Sequence, residues 1–255
     1  MIKIVSIIIP VRNQLQYTKQ CIKAIHRYTE LPYEVILVDN QSTDKTKMFI
    51  TAQMKQRGEK VRGIRNELNR GFAAGINQGM REAKGQYIVL LNNDTLPSYR
   101  WVEQLIAPLQ RDDSVGMTGP VSNRVISEQK IKISLTNPDE IHRFSRLHNR
   151  PNSSRWRESK RLSGFCLALP RHVWKSVGEW DERFGLGTYE DDDYSYRIRQ
   201  KGWRLIVAGD TYVHHFGNRS FHKRGYKEFS KILAQNRRYF LRKWNLMTKP
   251  KGLLL

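Results

Sequence analysis

Three short apolar runs constrain this chain more than any other feature. Ile4 to Pro10 (IVSIIIP), Glu34 to Val38 (EVILV) and Tyr87 to Leu91 (YIVLL) are runs of the length and residue type of buried strands. Helical spacing fills the gaps. Tyr17, Cys21, Ala24, Ile25 and Tyr28 follow the first run, Phe49, Ile50 and Met54 the second. Val61 to Arg65 is a weaker strand, Ile76, Met80 and Ala83 mark a third helix, and Trp101, Val102, Leu105, Ile106 and Leu109 a fourth. Asn13 is placed to cap the first helix, and Ser42 or Thr43 the second. Strands alternating with helices at this spacing predict a doubly wound, mostly parallel α/β sheet. Ligands of such sheets bind outside the carboxyl ends of the strands. Three polar clusters fall there: Arg12-Asn13, Asp39-Asn40 and Asn92-Asn93-Asp94.

The second half is less regular. Residues 122–160 are polar and basic, contain Pro138 and Pro151, and read as a mobile or partly ordered loop over the cleft. Residues 162–169 (LSGFCLAL) are a strand candidate, 192–201 a charged helix and 226–244 a basic amphipathic helix carrying Phe229, Ile232, Leu233, Tyr239, Phe240 and Trp244. No internal repeat or linker suggests a second folding unit.

With 255 residues, 39% hydrophobic and 10% aromatic, the chain can bury a substantial core, which argues against wholesale disorder. No apolar run reaches the ~18 residues of a membrane span, and Met1 to Pro10 lacks a signal-peptide cleavage pattern. Cys21 and Cys166 are isolated, without metal-ligand spacing, and read as buried thiols in a reducing compartment. These features together predict a cytoplasmic protein. The net charge of +21 favours anionic partners: nucleotide phosphates, nucleic acid, anionic lipid or acidic polysaccharide. Charge alone does not separate them.

Four groups of residues carry chemical potential. Oxygens of Asn92 and Asp94, at i and i+2 on a strand end, can face one hard cation, with a diphosphate supplying further ligands; the same cluster also suits a plain turn. Glu190, Asp191, Asp192 and Asp193 stand in a row, which is unfavourable unless a metal, an arginine or a catalytic role offsets it. One of them could take a proton from an acceptor hydroxyl, or all could sit at a solvated helix N-terminus. His214 and His215 are metal-ligand candidates or structural histidines. Asn69-Arg70-Gly71, with Gly75 and Gly79, leads into a helix where backbone amides and Arg70 can approach a phosphate.

The order of these signals is more specific than any one. SIIIPVRNQ, EVILVDNQSTDKT and NRGFAAGINQGMREAKGQYIVLLNNDT, followed by RLSGFCLALPRHVWKSVGEWDERFG, YEDDDYSYRIRQKGWRL and VHHFGNRSF, closely resemble family 2 glycosyltransferases over roughly residues 3 to 221. The middle stretch is most similar to the rhamnosyltransferase-like, cell-surface polysaccharide branch. The resemblance implies a GT-A fold in one domain over 1–221, with a nucleotide-binding half (1–98) and an acceptor-binding half (99–221). Residues 222–255 then form a basic amphipathic helix and tail.

The resemblance further implies an inverting, metal-assisted single displacement from a nucleotide-diphosphate sugar, UDP- or dTDP-linked. Pro10, Val11 and Arg12 would line the base and ribose pocket, and Asp39 would hold the nucleoside. Asn69, Arg70 and Gly71 would border the phosphates. Asn92-Asn93-Asp94 takes the place of the family's Asp-x-Asp, with Asn92 as a departure that removes one negative charge. Asp94 would be the main ligand of a Mn or Mg ion, with Asn92 helping or binding ribose. His214 would complete the metal site, with His215 as the alternative, since Ser220 lies at a family-like spacing from either. Glu190-Asp191 matches the family's Glu-Asp pair, so Asp191 would be the general base, positioned with the acceptor by Glu190 and Asp193. The metal and Arg70 would stabilise charge on the departing diphosphate.

The acceptor would be a cell-surface glycan, a glycolipid or a protein. The last basic helix would either pack on the domain or dock on anionic membrane near a lipid-linked acceptor. Two other readings compete. A sugar nucleotidylyltransferase needs a glycine-rich phosphate loop after the first strand, where this chain has Pro10-Val11-Arg12-Asn13. A non-catalytic module binding nucleic acid or acidic polymer suits the charge, but no nucleic-acid motif is present.

Overall fold

A computed structural model describes residues 4–125, 128–217 and 226–247. Strands β1 (Val5–Val11), β2 (Tyr33–Asn40), β3 (Val61–Asn66) and β4 (Tyr87–Leu91) alternate with helices α1 (Leu15–Tyr28), α2 (Thr46–Arg57) and α3 (Phe72–Glu82). Then come β5 (Thr95–Leu96), α4 (Trp101–Arg111), β6 (Val115–Val121), α5 (Pro138–His148), β7 (Trp156–Ser159), β8 (Cys166–Pro170), α6 (Arg171–Val177), α7 (Glu190–Gln200), β9 (Arg204–Tyr212), β10 (His214–His215) and α8 (Tyr226–Lys243).

The main sheet has the order β3-β2-β1-β4-β8-β6-β9-β7. β3, β2, β1 and β4 are mutually parallel, as are β6 and β9; β8 and the edge strand β7 run antiparallel. The predicted mostly parallel α/β sheet is thus present. Successive residues of each central strand enter opposite layers. Ile7, Ile9, Val35 and Leu37 pack with α1 and α4, whereas Ile8, Ile36 and Val38 pack with α3. Burial on both faces explains why these strands read as continuous apolar runs. A small antiparallel pair, β5 with β10, sets His215 opposite Thr95, next to Asp94.

Three local expectations are corrected. Asn13 does not cap α1: the residue before that helix is Gln14, at φ 64°, and the Asn13 Oδ1 accepts from the Thr43 and Asp44 amides instead. Neither Ser42 nor Thr43 caps α2, which starts at Thr46 and draws on Asp44 Oδ1 for that residue's amide. In both cases the polar residues tie the two strand-end loops to each other; Ser42 Oγ accepts from Asn13 N at 2.8 Å.

The third concerns 128–160, which is ordered structure rather than loose loop. Asn137 caps α5 through Asp139 N, Ile141 and Ser145 are buried, and Asn149 bonds to the backbone of Tyr99 and Tyr212. Asp210 then accepts from Asn152 N and Trp156 Nε1 and docks β7 at the sheet edge. Low local periodicity hid these contacts because their partners lie ~50–60 residues away.

Cys21 and Cys166 are free and buried, as expected. Burial pushes the Cys21 thiol up to about 12, and Cys166 well above its ordinary value. No described helix is long and apolar enough to cross a membrane. α8 packs on the domain through Phe240 and Leu241, against Phe184 and Tyr189.

Candidate functional site

A cleft of about 770 Å³ opens at the carboxyl ends of β1, β2 and β4. Pro10, Val11 and Arg12 line it from the end of β1, Asn69 and Gly71 from the entry to α3, and Asn92, Asn93 and Asp94 from the turn after β4. Glu190 and Asp191 line it from the first turn of α7, and His215 from β10. The cleft volume is in the range that encloses a nucleotide-sized ligand.

Asp39 is 2% exposed and lies behind the lining. Its Oδ1 accepts from Ser42 N at 2.8 Å, while its buried Oδ2 finds no partner among the described residues. Its neighbour Asn40 lines the cleft and joins three segments. Asn40 Nδ2 donates to Gly71 O at 2.7 Å, and its Oδ1 accepts from Asn66 Nδ2 and Arg70 N. Gly71 is at φ +89°, and a Cβ there would stand 1.9 Å from Gly185 O. Only glycine fits that approach of two backbones. The Arg70 side chain is exposed and outside the lining; among the described residues the cations that line the cleft are Arg12, Arg124, Lys130 and Arg161.

The turn after β4 divides its labour. Asn93 turns its amide inward, to Thr18 Oγ1 at 2.9 Å and Asn13 O at 3.3 Å, and so anchors α1. Asp94 is 7% exposed, and its Oδ1 stands 3.2 Å from His215 Nε2. His215 Nδ1 lies 2.9 Å from Arg124 O, an acceptor only, so Nδ1 carries the proton. Phe165 stacks on the ring at 5.3 Å. Nε2 is thereby turned toward the Asp94 carboxylate, and among the described residues it makes no hydrogen bond. His214 is held elsewhere: its Nδ1 pairs with Tyr212 Oη at 2.8 Å, and burial followed by His215 pulls its pKa down to about 4. It is absent from the lining, so the histidine beside Asp94 is His215, the alternative. Ser220 lies outside the described residues. Among the described residues no group of three or more His, Cys, Asp or Glu gathers around one point.

The four acids of α7 have four different surroundings. Glu190 is 8% exposed, and its Oε2 has no hydrogen-bond partner among the described residues; burial, then the charge of Asp191, drives its pKa well above the ordinary range. Asp191 Oδ2 accepts from Gly164 N at 2.9 Å and its Oδ1 from Asp192 N at 3.0 Å. Burial raises Asp191 as well, and those amides with Arg161 oppose the rise. Asp192 pairs with Arg161 at 3.0 Å, and burial followed by Asp191 raises it to about 6. Asp193 is fully buried away from the cleft, bonded to Arg197, Lys243 and Trp244. It does not touch the cleft as a catalytic side chain; the 3.6-residue turn carries it to the far side of α7.

Several lining residues escaped sequence reading. Arg124, Lys130, Arg161 and Gly164 lie in or beside the segment read as a loop, and Phe229 and Leu233 reach the cleft from α8. The polar, basic composition of 122–160 was the available signal, and it does not single out Arg161.

A family model described as "Glycosyl transferase family 2" matches residues 6–176, and the chain belongs to that family. It is 30% identical to "Glycosyltransferase GlyG" of Streptococcus pneumoniae over 54% of this chain and 46% of that protein. It is 26% identical to the poly(ribitol-phosphate) beta-glucosyltransferase of Bacillus spizizenii over 80% of this chain and 34% of that protein. The chain thus spans less than half the length of both. Among solved structures, the mannosyltransferase PcManGT of Pyrobaculum calidifontis, in complex with GDP-Man and Mn²⁺, superposes with a TM-score of 0.68 at 20% identity, covering 97% of this chain and 66% of that one. That likeness establishes the GT-A fold.

Proposed function

We propose that the chain transfers a sugar, with inversion, from a nucleotide-diphosphate sugar to a hydroxyl of a cell-surface glycan or related acceptor. One observation carries this reading: a single cleft has Asp94 with His215 on one wall and Glu190 with Asp191 on another. The first pair suits a diphosphate and the second an acceptor hydroxyl.

The residues fit a divalent ion, Mn or Mg. His215 Nε2 and Asp94 Oδ1, 3.2 Å apart at one wall of the cleft, are a nitrogen and an oxygen donor that one such ion can share. Asp94 and His215 would hold it, with Asn92 beside them and diphosphate oxygens completing the shell. Such an ion, when bound, offsets charge on the departing diphosphate.

On the donor side, Pro10, Val11 and Arg12 border the nucleoside, and the unpartnered Asp39 Oδ2 suits an N–H of the base or a ribose hydroxyl. Asn69, Gly71 and the nearby cations border the phosphates. Asp191 takes the proton of the acceptor hydroxyl at its carboxylate. Burial raises its pKa, which makes it a stronger base, while the amides of Gly164 and Asp192 hold it in place. Burial and the charge of Asp191 raise Glu190 as well, so the two adjacent carboxyls resist ionising together. Two free thiols support a reducing, cytoplasmic setting. The exposed Lys227, Lys231, Arg237, Arg238 and Arg242 of α8 support contact with an anionic membrane surface through charge rather than through its apolar face.

Thermal shift against UDP, dTDP and GDP and their sugars, each with Mn²⁺, Mg²⁺ or EDTA, tests the reading. A metal-dependent rise with UDP or dTDP is expected. No rise with any nucleotide, together with a rise on adding an oligonucleotide, would instead favour an anion-binding module.

A further inference from the structure

The turn that delivers Glu190 and Asp191 to the cleft is conformationally strained. Gly185 (φ +62°), Gly187 (φ +130°), Thr188 (φ +81°) and Tyr189 (φ +67°) all lie in the left-handed half of backbone space. Two of these are not glycine, and side-chain-bearing residues hold such angles only where their surroundings over-determine them.

The surroundings come from α8 and the residue after it. Asn236 is 5% exposed, and its Nδ2 lies 2.8 Å from Phe184 O, 2.8 Å from Gly187 O and 3.1 Å from Thr188 O. One amide group thereby spans the whole turn. Lys243 Nζ stands 2.7 Å from Asp181 Oδ2 and 2.6 Å from Asp193 Oδ1, so it joins acids on either side of the turn. Trp244 Nε1 donates to the same Asp193 oxygen at 2.9 Å. Asn236, Lys243 and Trp244 are absent from the cleft lining, and all three lie beyond the stretch 6–176 that the family model matches.

We propose that Asn236, Lys243 and Trp244 form a clamp of positioning residues that holds the 184–189 turn, and through it the Asp191 carboxylate, in catalytic register. This rests on the reading of Asp191 as the base. The clamp makes an otherwise unfavourable turn the only accessible one, so its loss uncouples donor binding from transfer. Asp191 then leaves Gly164 N, although the donor wall, built on β1, β2 and β4, is intact.

The test compares Lys243→Met, Lys243→Arg, Asn236→Ala and the milder Trp244→Phe with wild type in the full chain. One readout is amide hydrogen exchange at Gly164, which reports its bond to Asp191. The second is nucleotide release from UDP-glucose, UDP-N-acetylglucosamine, dTDP-rhamnose and GDP-mannose with Mn²⁺, with the affinity of the matching nucleoside diphosphate measured alongside. Lys243→Met and Asn236→Ala are expected to lower kcat about tenfold or more, leave nucleotide affinity within about twofold and speed Gly164 exchange; Lys243→Arg is expected to restore most of kcat. Wild-type kcat and Gly164 protection in Trp244→Phe and whichever of the other variants fold would overturn the clamp. If the wild type releases nucleotide from no donor and binds none, the glycosyl-transfer reading fails, and Gly164 exchange alone then decides the clamp.

Discussion

His215 Nε2 stands 3.2 Å from Asp94 Oδ1, with its other ring nitrogen committed to the Arg124 carbonyl. That commitment fixes which nitrogen can meet a cation. His215→Ala is therefore expected to weaken Mn²⁺ affinity by about tenfold or more, read by titration calorimetry in the presence of UDP. His214→Phe is expected to lower stability by about 1–3 kcal/mol, from the stranded Tyr212 hydroxyl, with Mn²⁺ affinity retained. The reverse pattern would return the metal to His214.

Neighbouring acids of α7 are expected to behave as different kinds of residue. Asp191→Asn removes the base: turnover falls by about 10²–10⁴-fold while nucleotide binding and Tm stay close to wild type. Asp193→Asn removes the buried charge facing Lys243 and Arg197, leaving Lys243 with Asp181 and Arg197 with the carbonyls of Val177 and Glu179. It is expected to cost roughly 3 kcal/mol in denaturant unfolding and, through the clamp on the 184–189 turn, to lower turnover far less than Asp191→Asn does. Near-normal turnover in Asp191→Asn would remove it as the base.

The carboxylate row gives stability a pH dependence of known sign. Asp192 titrates at about 6 in the fold against an ordinary 3.8, through burial and then Asp191. The folded state therefore holds a proton that the unfolded state has lost, and stability falls as pH rises through that window. Glu190, raised further, extends the fall upward. Glu190→Gln is expected to raise Tm more at pH 7.5 than at pH 5. Asp181 has the opposite sign: bonds from Arg183, Lys243 and Tyr239 outweigh burial and hold it well below the ordinary range. Its contribution is present above that ordinary value and is lost on acidification below it.

Gly71→Ala puts a methyl 1.9 Å from Gly185 O at a backbone angle, φ +89°, that alanine resists. The substitution is expected to cost more than about 1 kcal/mol of stability and to weaken nucleotide binding measured by fluorescence titration. Gly178→Ala serves as the control: it shares a positive φ but has open space around it. Equal losses in the two would mean that backbone angle alone, and not the approach to Gly185, sets the cost.

Much of this was legible in the residues. IVSIIIP, EVILV and YIVLL announced the parallel half of the sheet, because strands buried on both faces leave an unbroken apolar run. The polar clusters at their ends announced the cleft. Ordered motifs pointed to the family, and the family match on 6–176 agrees. The 128–160 stretch was not legible, since Asn149 and Asp210 organise it through partners ~50–60 residues away. Arg161 and Gly164 gave no local sign of meeting Asp192 and Asp191.

The sequence by itself determined the alternation of strand and helix, the sites of the polar clusters and the supply of four consecutive acids. These depend on periodicity and local residue type. Tertiary structure alone decided which histidine faces Asp94, which acids of the row face the cleft and which one faces Lys243. Those choices are made by rotation about a helix axis and by pairing across the sheet, where one residue of shift moves a side chain to the other face.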